Sequence, residues 1–155
     1  VLDGHGALLA EFAARATEAG AVVVHARDGA QACDYITGLA RERGVSLVTK
    51  SKSMTSEEIG LNAALQGAGV AVVEGDLGER IIQLAGERPS HLVAPAIHKS
   101  REAVISLLSE KLRIAHPPQD AEGLTKLVRE ALRPLFLSAG MGITGANFAV
   151  AETVR

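Results

Sequence analysis

Val48–Leu65, VTKSKSMTSEEIGLNAAL, is the stretch from which the fold class follows. A β-branched run ends at Thr49. Lys50 and Lys52 then alternate with Ser51 and Ser53, and Thr55 with Glu58 opens a helix as a T-x-x-E capping box. The order is strand, basic hydroxyl-rich turn, helix.

Working outward, the same unit recurs. Upstream, Leu2–Glu18 has the apolar spacing of an amphipathic helix, with Leu8, Leu9, Phe12, Ala13 and Ala16 on one face, and Gly20 ends it. AVVVHA (Ala21–Ala26) reads as a short buried strand, Asp28 caps a helix through Arg43, and Val45–Thr49 is the second strand. Downstream, the helix from Thr55 runs to Gly67. Val70–Glu74 is a strand, Asp76–Leu84 a short helix, Leu92–Ala94 a buried strand and Ser100–Lys111 a helix. Pro117 and Pro118 break the pattern, Asp120 opens a long helix to Ser138, and Gly142–Val154 reads as extended segments turning at Gly145. Apolar strands alternating with helices predict βαβ units: an α/β fold, layered α/β/α, with a mainly parallel central sheet and right-handed crossovers.

Composition narrows the function. Hydrophobic residues make up 47% and aromatics only 3% of the 155 residues, so the core is built from small aliphatics and offers few stacking platforms for single-stranded nucleic acid. A formal charge of −2 provides no basic field for DNA or a membrane surface, and no apolar run reaches the length of a membrane span. Cys33 is the only cysteine, which excludes an internal disulfide and a cysteine-ligated cluster or zinc site within this chain. The simplest compartment is the cytoplasm. The chain opens inside a helical pattern without a Met and stops after FAVAETV, so a piece of a longer protein is expected.

Ligands of parallel sheets bind at the carboxyl ends of the strands. Three loops fall there: Lys50–Thr55, Pro95–Ser100 and Gly145–Glu152. In the first, Lys50, Ser51, Lys52, Ser53 and Thr55 combine two ammonium groups, three hydroxyls and a helix start, the chemistry of a phosphate or carboxylate site or of an ordinary solvated cap. It is not a Walker loop, because the glycines are missing. His98, after Pro95-Ala-Ile, is a candidate acid–base group or a cap of the following helix. Asn147 is a candidate ligand contact, and Glu152, a carboxylate after an apolar run expected as a buried strand, is a candidate base or nucleophile, a partner for the lysines of the basic loop, or simply an exposed carboxylate. Gly140, Gly142 and Gly145 spell G-x-G-x-x-G, but the match follows a helix and precedes a β-like run, so tight turns and close packing explain it better than a dinucleotide. His5, His25, His91 and His116 share no ligand spacing, and no metal site is expected.

The runs KSKSMTSEEIGLN (Lys50–Asn62), VVEGDLGERIIQLAGERPSHLVAPAIHKSRE (Val72–Glu102) and GITGANFAVAET (Gly142–Thr153) are long, ordered and colinear. In them the chain resembles the lactate-utilisation iron–sulfur protein B family. The resemblance covers nearly the whole chain. It implies a single domain of the lactate-utilisation (LUD) type over residues 1–155, similar in fold to the CoA-transferase and ribose-5-phosphate isomerase group. It implies action with two partner proteins in oxidising L-lactate to pyruvate in bacteria. It also implies iron–sulfur clusters in a C-terminal ferredoxin-like region that this chain lacks. It transfers no catalytic residues, and Gly140 stands where relatives are expected to carry an acidic residue.

Three functions are therefore open: the α/β domain of an electron-transfer protein in lactate oxidation; a stand-alone isomerase or acyl-transferase acting on a phosphorylated sugar or CoA thioester, with Glu152 as its reactive group; or an assembly scaffold for partner subunits. All depend on whether the lysine turn, His98, Asn147 and Glu152 share one rim.

Overall fold

The computed structural model describes residues 4–91, 94–146 and 148–154. In chain order the elements are α1 (His5–Glu18), α2 (Gly29–Glu42), β1 (Leu47–Lys50), α3 (Met54–Glu58), α4 (Leu61–Gly67), β2 (Ala71–Glu74), α5 (Leu77–Ala85), α6 (Arg101–Leu112), α7 (Ala121–Ser138) and β3 (Met141–Ile143). They fall into two compact units: Cys33–Gly145, and Val1–Ala32 with Ala146–Arg155.

The larger unit holds the sheet. Its order is β2-β1-β3 and both pairings are parallel, with Val48 beside Val72 and Met141, and Lys50 beside Glu74 and Ile143. Because strand side chains alternate between faces, two cores form. Val48 and Val72 pack with Cys33 and Ala40 of α2 and with Leu61 and Leu65 of α4. Leu47 and Val73 face the other way, onto Leu108 of α6 and Leu124, Val128 and Leu132 of α7. This is the layered α/β/α arrangement expected. Burying a side chain such as Val48 or Leu65 stabilises the fold by about 1.5–3 kcal/mol.

The edge of β2 is closed by a side chain. Gln83 of α5 donates from Nε2 to the Val72 carbonyl (2.8 Å), and its Oε1 accepts from the Glu74 amide (3.2 Å). One carboxamide thereby stands in for a neighbour strand that no described segment supplies, on an edge that would otherwise invite pairing.

Helix starts follow the expected capping chemistry. Asp76, Ser100 and Asp120 each accept from the amide three residues on. The helix expected over Thr55–Gly67 differs: it is two helices, broken at Gly60, whose φ of 69° is left-handed. The cap is Ser53 rather than Thr55, with Ser53 Oγ accepting from the Ser56 amide. Ser53 is the residue already in extended backbone, so its hydroxyl reaches the first free amides.

In the smaller unit, α1 forms as expected, but Ala21–Ala26 is not a strand, and Val22 is 82% exposed. An apolar run becomes a strand only by pairing, and no described segment pairs with this one. The expected strand Leu92–Ala94 lies mostly outside the described residues. The extended stretch expected over Gly142–Val154 contributes β3 at its start and then a turn over 151–154, with Phe148 and Val150 exposed. Among the described residues no helix is long and apolar enough to cross a membrane.

Candidate functional site

The three strands end level, at Lys50, Glu74 and Ile143. Beyond them opens a cleft of about 640 Å³, lined by residues 49–52 after β1, Gly75 and Asp76 after β2, Gly142–Thr144 at β3, and Phe136 of α7. The sheet-edge rule thus places a cavity where the sequence led one to look. Gly75 packs tightly there. A Cβ on it would lie 3.0 Å from the Phe136 ring and 3.3 Å from the Lys50 carbonyl, so a side chain at this position would push the ring back by a few tenths of an ångström.

The two lysines are not free cations. Lys50 is fully buried. Its Nζ lies 3.0 Å from Glu74 Oε1 and donates to Ser56 Oγ at 3.1 Å. The register makes this pair, because Lys50 and Glu74 are partners on adjacent parallel strands and share a face. Lys52 is partly exposed and its ammonium pairs with Glu79 of α5, whose carboxylate is buried. Burial pushes the Lys52 ammonium toward losing its proton. The hydrogen bond to Glu79 and the charges of Glu79, Glu57 and Asp76 outweigh that, and its pKa is raised above the ordinary lysine value. In three dimensions the basic turn is therefore two ion pairs with further carboxylates around them.

Of the eight residues singled out in the sequence, Lys50, Ser51 and Lys52 line this cleft. Ser51 is exposed and its amide donates to the Ile143 carbonyl at 2.9 Å, tying the turn to β3. Ser53 is the cap of α3 and packs against Gly145, where a Cβ would come within 2.8 Å of Ser53 Oγ. Gly140 and Gly145 are close-packing positions, against Val45 and Ser53, as the packing reading of the glycine motif expects, whereas Gly142, inside β3, has open space where a Cβ would stand. Thr55 lies on the exposed side of α3. His98 is not among the residues lining the cleft. Its Nδ1 meets Ser90 Oγ at 2.7 Å and its Nε2 meets Glu87 Oε2 at 2.9 Å, while Lys99 takes the other oxygen of Glu87. Asn147 lies outside the described residues. Glu152 belongs to the smaller unit, exposed in the 151–154 turn, and the buried strand expected before it is not formed.

The LUD domain family matches residues 9–153. The chain belongs to the LUD domain family. Curated relatives of this LUD chain include an "Uncharacterized electron transport protein YkgF" of Escherichia coli K12, 46% identical over 99% of the chain and 32% of the relative. They also include a "Lactate utilization protein B" of Bacillus cytotoxicus, 42% identical over 94% of the chain and 30% of the relative, and one of Bacillus cereus AH820, 41% identical over the same shares. The chain thus spans about a third of the length of these relatives. No solved structure matches it.

Sequence reasoning missed six contributors to the LUD cleft: Thr49, Gly75, Asp76, Phe136, Ile143 and Thr144. Gly75 and Asp76 are the first two residues after β2, so the strand-end rule could have found them. Phe136 gives no such signal, since its place over Gly75 depends on how α7 crosses the sheet.

Proposed function

We propose that this chain is the LUD part of an electron-transfer protein acting in the oxidation of L-lactate to pyruvate, and that its strand-end cleft receives the small carboxylate. The observation that carries this reading is the colinear likeness, over nearly the whole chain, to relatives named for lactate utilization and electron transport. The geometry supports it. Lys52 keeps its proton through its pair with Glu79 and has N–H donors beyond that pair for the cleft, and Thr49, Ser51 and Thr144 supply hydroxyls suited to a carboxylate and its 2-hydroxyl.

Oxidising lactate removes two electrons and two protons, with C2–H and O–H broken and C2=O formed. The residues of this chain do not fit an iron–sulfur cluster as electron acceptor. Cys33 is buried in α2 with its thiol donating to the Ile59 carbonyl, and burial, helped by the Asp34 charge, pushes that thiol's pKa up, away from a ligating thiolate. Among the described residues no three metal-ligating side chains gather. We assign any clusters to residues outside this chain, the chain itself to binding and positioning, and the whole protein to a cytoplasmic complex with partner subunits.

The test is a titration of the whole protein with L-lactate and pyruvate, read by amide NMR. Saturable shifts at Thr49–Lys52 and Gly142–Thr144, weakened about tenfold in Lys52→Ala, are expected for loss of one charge-assisted contact. Shifts absent from both segments, or unchanged in the variant, overturn the cleft as the carboxylate site.

A further inference from the structure

A second cavity, of about 700 Å³, lies between α3, α4 and α5. Three buried side-chain oxygens among the described residues have no hydrogen-bond partner: Glu57 Oε1, Asn62 Oδ1 and Glu74 Oε2. All three residues line this one cavity. Native proteins leave few such groups, and each costs about 1–3 kcal/mol when no donor meets it. Three around a single space indicate what the space accepts.

Each orphan is fixed by its neighbours. Glu74 is only 4% exposed, and its Oε1 already takes Lys50 and the Asn62 amide nitrogen, the latter at 2.7 Å, leaving Oε2 over. Because Asn62 spends Nδ2 on that carboxylate, its remaining atom, Oδ1, can only accept. Lys50 is matched to Glu74 and Lys52 to Glu79, which leaves the Glu57 carboxylate without a cation of its own. Burial, then the charge of Glu79, raises the Glu57 pKa, against the lowering pull of Lys52 and Lys50. The rest of the lining includes the apolar Ala63 and Ile82, with exposed Arg88 as the cationic group at the rim.

We infer that this cavity binds a small organic amine, whose ammonium N–H groups satisfy Glu57, Asn62 and Glu74 while its carbon body rests on Ala63 and Ile82. An ammonium brings three donors and one positive charge, matching acceptors only and one unmatched carboxylate. A hard metal ion suits the site less well, since the Lys50 ammonium stands 3.0 Å from Glu74 and no three metal-ligating side chains gather among the described residues. This inference is independent of the lactate reading, because the two cavities are lined by different residues.

The experiment titrates the whole protein with putrescine, with 1-butylamine and with uncharged 1,4-butanediol, read by amide NMR and by calorimetry. Saturable shifts at Ala63, Gln66 and Ile82 are expected for both amines and not for the diol. Glu57→Gln should weaken amine binding about tenfold, as for one lost charge-assisted contact. Its melting temperature should match or exceed the natural protein's, so that the loss is not unfolding. Glu130→Gln, on exposed α7 surface, should bind as the natural protein does. Equal binding of diol and amines, unchanged binding in Glu57→Gln, or no saturable shift with either amine overturns the inference.

Discussion

Two charge clusters in the larger unit use the same chemistry and do different things. Lys50 and Glu74 meet at 3.0 Å with their side chains 0% and 5% exposed, held in register by adjacent strands. Glu87, His98 and Lys99 meet at 2.7–2.9 Å, with Glu87 43% exposed, and join the loop after α5 to the start of α6. In the first, desolvation is large and each charge is tolerated only because the other is present. In the second, Glu87 and His98 are 43% and 38% exposed, against 14% for Lys99, so water reaches the shared carboxylate and the contact adds little. Ion-pair geometry alone does not separate them. Burial does, and it decides which cluster holds the sheet and which clasps a loop.

The sharpest way to break the comparison is at Lys50. Lys50→Met leaves Glu74 as a buried carboxylate without its cation, and unfolding free energy should fall by about 3–5 kcal/mol in urea titrations. The double variant Lys50→Met/Glu74→Leu, which removes both charges, should recover most of that. A double variant as unstable as the single would mean that packing, not the unpaired charge, sets the cost.

Lys52 lies between the two extremes: its side chain is 26% exposed, its partner Glu79 6%. Lys52→Ala should cost about 1–3 kcal/mol, the range for leaving one buried acceptor unmet. The Lys52 pKa is raised in the folded state, so its stabilisation is complete below the ordinary lysine value of 10.5 and disappears as pH rises through the higher folded value. The melting temperatures of the variant and the natural protein should therefore converge at strongly alkaline pH, and a constant gap across that range would remove the ion pair as the cause.

The same contrast explains what could be seen in advance. The α/β class, the β1–turn–α3 unit, the caps at Asp76, Ser100 and Asp120 and the long α7 were legible, because periodicity and capping are local. The strand-end location of the cleft was legible through a topological rule. Local pattern did not reveal that Lys50 is buried against Glu74, since the two are 24 positions apart and meet only through the strand register. Nor did it reveal that AVVVHA stays unpaired, because strand formation is decided by the neighbour. The lysine turn therefore reads locally as an anion site or a solvated cap, whereas each ammonium has a carboxylate waiting for it across the fold.

The smallest effect should come from the exposed cluster, and its value lies in its pH signature. Hydrogen bonds from Lys99 and His98 hold the Glu87 carboxylate below the ordinary glutamate value of 4.5. A depressed carboxylate contributes stability that is present above its unfolded pKa and is lost as pH falls through the folded one. Glu87→Gln should therefore lower the melting temperature slightly at neutral pH and leave it unchanged at pH values well below 4.5, with the loss shrinking in added salt as for any solvated pair. Hydrogen exchange should quicken at the amides of Ile97 and Lys99, which donate within that loop, and stay unchanged at Val48 in the sheet core. If exchange at Val48 rose as much as at Lys99, the clasp would belong to the global fold, and the distinction between the buried lock and the surface tie would collapse.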